Sequence, residues 1–472
     1  QVWLKLQPGV AILLRLARET RGLAMVAPSP ELLAAAAEEA KLAAQHRAEV
    51  LAHVGPDAFS AREQQELEPD DWMHTTGRDN FTAAEVQVGK RCHGFHMEML
   101  RQEETPVGSH YQLIHYDVPV LPRGHSLRLH GLVRKELRLS LDDVRARPAE
   151  TVPVLMACAG TGRSLQKRRL WAHVPWGPDS VGCARWTGCS LAEVLREAGP
   201  LPEAAQVIFT GADKGVEKGE VQYFQRSLSL QDAMRGHVLL AYQMNGADLV
   251  PAHGAPMRLI VPGWYGMASV KWLTSIEVTA GGWWGCQMDS YSFKRTSHDP
   301  KAVPIRQLPV RALMAPPGYP EFVSRTRLVP PGATRVEGRA WAGAVDLERV
   351  EFSSDNGRTW LMAELGRKNG PFGWAPWHFD WDATEGTHVL CCRAFDVAGR
   401  SQDSFSDEMF NWGSFGSTQP QQVYVKVTAA INDPGSSIDL TNEQKAAKTE
   451  LVPQTGLTQE MVDALYGAPG SQ

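Results

Sequence analysis

The rhythm of apolar and polar positions changes along the chain. From Glu31 to Val54 the sequence is rich in Ala, Glu, Lys and Gln, and Leu32, Leu33, Ala36 and Leu42 recur with loose helical spacing. Ser29-Pro30-Glu31 supplies a helix start. Residues 1–104 therefore read as a helical N-terminal extension or arm, with the charges of 31–54 on a solvated face. Short β-rich stretches then alternate with helical ones. Ser126–His130 alternates as a strand does, Val152–Met156 is an apolar strand leading to Cys158, and Ser190 stands as a cap before Leu191–Ala198. Pro and Gly punctuate this region, so residues 105–303 are predicted to form an α+β domain with mixed sheets rather than regular βαβ repeats. Beyond the prolines at 304, 309, 316, 317 and 320 the pattern turns all-β. Arg349–Phe352 and Trp360-Leu361 flank Asn356-Gly357, a hairpin signal, and His388–Phe395 and Val423–Val427 add strands. Residues 304–430 are predicted to be a β-sandwich. The tail 431–472 reads as extended, with a short helix near Thr458–Leu465.

Composition narrows the class. The 472 residues carry 48 Lys+Arg and 53 Asp+Glu, a net charge of 48 − 53 = −5, and 43 % are hydrophobic. That balance argues against a nucleic-acid-coating protein and against general disorder. The apolar run Val10–Leu14 ends at Arg15, far short of the ~18 residues of a membrane span. It is also shorter than the ~7–15-residue core of a signal segment, so a targeting remnant across Val2–Ala17 is not favoured. A chain beginning at Gln1 reads as processed or as a fragment, and no compartment is assigned. Seven cysteines, without CxxC or CxxCH, point away from a disulfide framework, a zinc ribbon or covalent haem.

Two groups of residues carry chemistry. Cys158 ends an apolar strand and enters the turn Ala159-Gly160-Thr161-Gly162-Arg163-Ser164, a suitable place for a soft thiolate ligand. Taken alone, such a cysteine is more often a small buried hydrophobe, and no Lys-Ser/Thr pair closes the turn as a phosphate loop. His253, Arg258 and Lys271 surround the strand Leu259–Val261 and fit either a phosphorylated cofactor or a surface cluster. Cys92, His93 and His96 lack a fourth ligand and are read as metal-free. Trp283-Trp284 and Trp374, Trp377 and Trp381 are read as core or interface rather than an electron relay.

In combination these motifs are distinctive. Cys-Ala-Gly-x-x-Arg-Ser at 158–164, Ala184–Gly188, Leu240–Gly246, His-Gly-x-Pro-x-Arg at 253–258, Val261-Pro262-Gly263 and Val270-Lys271-Trp272 follow one another in an order that resembles the sulfite oxidase family. The all-β segment, with Ser354–Trp360 and Asn411-Trp412, resembles that family's immunoglobulin-like dimerisation domain. The resemblance implies a molybdenum–molybdopterin cofactor, with Cys158 as the metal's thiolate ligand. It implies cofactor contacts from His115, Asp213, His253, Arg258, Ser269, Val270 and Lys271, and a homodimer. Tyr291 falls at the family's active-site tyrosine, with an orienting or proton-relaying role, and Arg163 at an arginine that holds the substrate anion.

The departures concern the substrate. Where sulfite oxidases carry Arg-Asn-His in the anion pocket, this chain has Leu113-Ile114-His115, and one arginine of the cysteine turn has become Gly162. A further pocket arginine, which the family's all-β domain contributes, is replaced near Trp377-His378. Each missing arginine is worth about ten- to a hundredfold in anion affinity. The expected activity is two-electron oxygen-atom transfer to sulfite or a related sulfur compound. The alternatives are reduction of a sulfoxide or N-oxide, and a non-catalytic dimeric binding or scaffold protein. With no haem-binding His-Pro-Gly-Gly run in residues 1–104, the expected electron acceptor is external, either oxygen or a redox protein.

Overall fold

The computed structural model describes residues 29–54, 72–73, 91–166, 169–170, 174–296, 299–322, 324–402, 411–438 and 440. The apolar run at 10–14 and the helix expected at 458–465 lie outside them. Among the described residues no helix is long and apolar enough to cross a membrane.

Helix α1 (Pro30–Val54) starts where the sequence indicates, with Ser29 Oγ accepting from Leu32 N at 3.2 Å. Its buried seam is Ala36, Glu39, Ala43, His46, Val50 and Val54, a three-and-four spacing in which two members are polar. The solvated face expected for its charges is thus corrected at Glu39, which is 1 % exposed. Glu39 accepts from Trp264 Nε1 at 2.7 Å and pairs with Arg235, so burial is compensated by hydrogen bonding and charge.

The next region builds two sheets from β1 (Ser126–Gly131), β2 (Leu137–Ser140), β3 (Ala149–Ala157), β4 (Val181–Ser190), α2 (Leu191–Ala198), β5 (Gln206–Glu217), β6 (Glu220–Ser229), β7 (Leu239–Met244), β8 (Arg258–Ile260), β9 (Leu273–Thr279) and α3 (Cys286–Ser290). One sheet runs β6-β5-β9-β1-β2, with β9 and β1 parallel and the other pairs antiparallel. The second runs β7-β4-β3 with β8 paired to β7. This is the mixed α+β arrangement the sequence indicates. On β1, Leu127 and Leu129 point into the core while their neighbours alternate outward. Helix α2 buries Leu191, Val194, Leu195 and Ala198 and stops at Gly199, whose φ of 67° suits glycine. Ser190 precedes it but makes no side-chain cap; the capping box belongs instead to Ser140 and Asp143, ahead of the turn 141–145.

The sandwich follows, from β10 (Arg311–Ala315), β11 (Gly332–Trp341), β12 (Leu347–Ser353), β13 (Ala375–Ala383), β14 (Gly386–Asp396) and β15 (Gln421–Val427). One sheet contains β10-β11-β13 and the other β15-β14-β12. Between them lie Val350, Phe352, Trp377, Leu390 and Val425. The Asn-Gly signal is realised as a hairpin: Asn356 and Gly357 take φ of 60° and 77°, and Phe352 pairs with Leu361. Trp374 and Trp377 are buried, whereas Trp284 is about half exposed.

The sandwich region also buttresses the turn after Cys158. Arg311 Nη1 donates to Thr161 O at 3.2 Å and Ser417 O at 2.8 Å, and Gly416 N donates to Ala159 O at 3.0 Å. A Cβ at Gly162, where φ is 79°, would lie 2.6 Å from Arg311 Nη2. That close approach and the left-handed backbone account for glycine at this position.

Candidate active site

Cys158 stands at the end of β3, where the chain leaves the sheet. Its backbone is pinned by Cys158 N to Ser180 O at 2.9 Å, by Thr161 N to Cys158 O at 3.0 Å, and by Thr161 Oγ1 to Cys158 O at 2.8 Å. The thiol borders a cleft of about 660 Å³ of atom-free space, part of it open to solvent. Burial pushes the thiol pKa up; Arg163 opposes this, helped by hydrogen bonds from the Gly160 backbone and from Trp176.

Cations gather on the same cleft. Arg258 donates to His253 O at 3.0 Å and Ser269 O at 2.8 Å, and its guanidinium lies 4.8 Å from the Trp186 ring centroid. Lys271 donates to Leu113 O at 3.1 Å and Ala252 O at 3.2 Å. Burial, then the Arg258 charge, pulls its pKa down to about 7, against Asp213. Burial raises Asp213 to about 6, with Lys271 opposing. His253 Nε2 lies 3.0 Å from Val107 O, and burial followed by Arg258 lowers its pKa to about 4. Neither Arg258 nor Lys271 has a carboxylate within ion-pairing distance among the described residues, and Arg258 Nε is buried without a partner.

Tyr291 sits just past α3 and shares a 2.6 Å hydrogen bond with His115 Nε2. The His115 ring packs 4.6 Å from Phe224, and burial lowers its pKa to about 3, assisted by Lys271, Arg91 and Arg226. Burial, with Cys158 next, raises the Tyr291 phenol, so the hydroxyl keeps its proton.

Of the residues singled out from sequence, Cys158, His115, Asp213, His253, Arg258, Ser269, Lys271 and Tyr291 all border the cleft. Val270 does not: its side chain is fully buried in the core, and its carbonyl accepts from Leu259 N at 2.8 Å. Arg163 is likewise not among the residues that border the cleft. Its Nε donates to Gly413 O at 3.1 Å and its Nη1 to Val174 O at 2.6 Å, with the guanidinium 5.0 Å from the Phe415 ring centroid. Two backbone carbonyls accept from it, and its charge bears on both the Cys158 thiol and the Tyr291 phenol. Trp377 is core, and His378 pairs with Glu364 at 3.0 Å beside a separate surface depression.

The structure adds residues that the sequence left unmarked. His110 and Tyr111 border the cleft, with the His110 ring 5.5 Å from that of His253. Phe224, Met156 and Met267 give the cleft an apolar side. Arg226 is buried beneath Tyr291, 6.0 Å from its ring centroid. None was singled out as a site residue from sequence, although Tyr111 lies four positions before His115 and Met156 two before Cys158.

These residues fit a molybdopterin. Buried cations with no carboxylate at ion-pairing distance suit an anionic phosphate, Asp213 suits a hydrogen-bond-donating ring, and a buried thiol suits a soft metal.

Comparison with known proteins agrees. Residues 115–283 match the oxidoreductase molybdopterin binding domain and residues 302–434 the Mo-co oxidoreductase dimerisation domain. Sulfite oxidase of Gallus gallus is 35 % identical over 316 residues, covering 62 % of this chain and 66 % of that protein. Nitrate reductase [NADH] of Ulva prolifera is 30 % identical over 329 residues, covering 63 % of this chain and 38 % of that protein. The chain thus spans under two thirds of the length of either relative. The crystal structure of the sulfane dehydrogenase SoxCD from Paracoccus pantotrophus shares the fold, with a TM-score of 0.60 at 24 % identity over 70 % of this chain and 83 % of that one. With both domain types present in sequence over one continuous stretch, the chain belongs to the sulfite oxidase family of molybdopterin oxidoreductases.

Proposed function

We propose that this protein catalyses two-electron oxygen-atom transfer on a sulfur oxyanion, with sulfite as the first candidate, and passes the electrons to an external acceptor. The observation that carries the reading is the grouping on one cleft of the Cys158 thiol, the Tyr291–His115 pair and the unpaired cations Arg258 and Lys271. When bound, Mo-molybdopterin supplies the two-electron redox centre. Cys158 holds the metal as thiolate. Arg258, Lys271 and His253 hold the anionic end of the cofactor, with Ser269 beside them, and Asp213 accepts from its ring nitrogens. Tyr291 presents a protonated hydroxyl whose orientation is set by neutral His115, so a proton can be held or delivered there. The dimerisation domain supports a homodimer as the working form.

A second reading has a specific observation behind it. Leu113, Met156, Phe224 and Met267 make part of the cleft wall apolar, which suits a neutral sulfoxide or N-oxide to be reduced. Anaerobic titration of the molybdenum-loaded protein with sulfite, following the metal's optical or paramagnetic signal, tests the first reading. Reduction at micromolar sulfite is expected. Unchanged signal with molybdenum confirmed present would refute it and turn the search to sulfoxides, N-oxides and nitrate.

A further inference from the structure

Tyr291 is not the only phenol on the cleft. Tyr111 stands just before the short strand Gln112–Leu113 and borders the same cleft as Cys158, Arg258 and Gly266. Its ring is held in place: it stacks on the His110 ring with 5.2 Å between centroids and packs against the cluster that contains Met156 and Trp186. Its carbonyl accepts from His110 Nδ1 at 3.0 Å.

The hydroxyl of Tyr111 is placed but not paired. A Cβ on Gly266 would collide with Tyr111 Oη and would lie 3.5 Å from Ala157 O. Glycine at 266 therefore leaves the room that the hydroxyl takes, between the turn 266–268 and the end of β3, where Ala157 precedes Cys158. Among the described residues no group hydrogen-bonds to this hydroxyl, and its oxygen is not sealed away from the cleft. Burial, with Cys158 next, raises the phenol pKa against Arg258, so the proton stays and the group has a hydrogen bond to give. While the cleft is wet, water can accept it. Once a cofactor fills the cleft that water leaves, and the phenol is costly to bury unless the cofactor accepts instead.

We propose that Tyr111 hydrogen-bonds the bound molybdopterin at its sulfur-ligated metal end, beside Cys158, and thereby helps to set the metal's reduction potential. The hydroxyl lies next to the residue that precedes Cys158, which places it at that end rather than among the cations that hold the phosphate. A donor aimed at sulfur favours the reduced metal, because reduction adds negative charge to the sulfur. The inference rests on the cofactor and is the same for sulfite, a sulfoxide or an N-oxide as substrate. It gives the two phenols separate tasks, Tyr291 at the His115 end and Tyr111 on the cofactor.

The test compares Tyr111→Phe with wild type as molybdenum-loaded protein. It measures molybdenum and pterin per chain, the visible sulfur-to-metal absorption band, and the midpoint potential in a mediated anaerobic titration with dithionite, so that no substrate enters. Tyr111→Phe is expected to shift the band to lower energy. It should also move the two-electron reduction equilibrium about three- to tenfold toward the oxidised metal, ~15–30 mV. A wild-type band and potential at full loading would overturn the proposal. So would a wild-type band and potential at reduced loading, which would put the hydroxyl at the phosphate end. If Tyr111→Phe retains no molybdenum, replacement of Tyr111 by 3-fluorotyrosine decides. This stronger donor of nearly the same size is expected to shift band and potential the opposite way, and no shift refutes the proposal. Wild-type protein that carries no molybdenum would remove the cofactor assignment itself, and this inference with it.

Discussion

At Cys158, burial and charge pull in opposite directions. The apolar end of β3 favours a neutral thiol, while Arg163 favours thiolate. Without a metal the proton stays; a soft cation can displace it, and Arg163 then sits within reach of the resulting negative charge. Cys158→Ala is therefore expected to abolish bound molybdenum, measured by elemental analysis of purified protein, with little loss of fold because the side chain is small. Retention of stoichiometric molybdenum would contradict the ligand assignment. Arg163 and Arg226 make the complementary point. Both are buried arginines, but Arg163 donates to Gly413 O and Val174 O, while Arg226 meets one carbonyl and faces the Tyr291 ring. A motif match singled out the first; the second, in Phe224-Gln225-Arg226-Ser227, belongs to no recognisable pattern.

At the scale of elements, α1 shows why hydropathy understated a docked helix. Its seam is regular, yet Glu39 and His46 occupy core positions and weaken any apolar stripe read from sequence. Glu39 meets Trp264 on the segment that continues to Gly266, Met267 and Ser269 on the cleft wall, so the helix braces the cofactor side of the domain. A Cβ at Gly263 would sit 3.4 Å from Glu39 Cγ and 3.5 Å from Phe372 Cδ1, so helix, cleft segment and sandwich loop converge there. Glu39→Ala removes the partner of buried Arg235 and the acceptor for Trp264 Nε1, which is expected to cost about 3–5 kcal/mol. Exposed Lys41→Ala should stay within about 0.5 kcal/mol. Denaturant unfolding of the two variants measures the contrast, and equal stabilities would show that α1 is not docked through Glu39.

Across the whole molecule, burial sets the response to acid. It lowers the pKa of His46, His110, His115 and His237 to about 3 and that of His253 to about 4. In the unfolded chain each titrates near ~6.5, so between that value and the folded pKa the unfolded state binds more protons. Stability from these groups is complete above pH ~6.5 and falls as pH drops toward 4, by up to ~1.4 kcal/mol per pH unit for each proton. Asp213, raised to about 6, acts in the opposite sense between pH ~4 and 6 but is outnumbered. Urea midpoints measured from pH 7.5 to 5 should decline steadily; a flat or rising profile would show that the histidines are not buried neutral. Much of the architecture could be read beforehand. The mixed sheets, the sandwich, the Asn356-Gly357 hairpin and the thiol-and-cation motifs depend on neighbours in sequence, and covalent connection keeps those residues close whatever the rest of the chain does. Which side chains face the cleft depends on segments that meet only on folding. The Arg163 donors end at Gly413, Arg226 lies under Tyr291, and Glu39 reaches Trp264 across 225 positions. No local pattern encodes such contacts, because the burial and charge balance that orient each side chain exist only once the sheets, the sandwich and α1 have packed together.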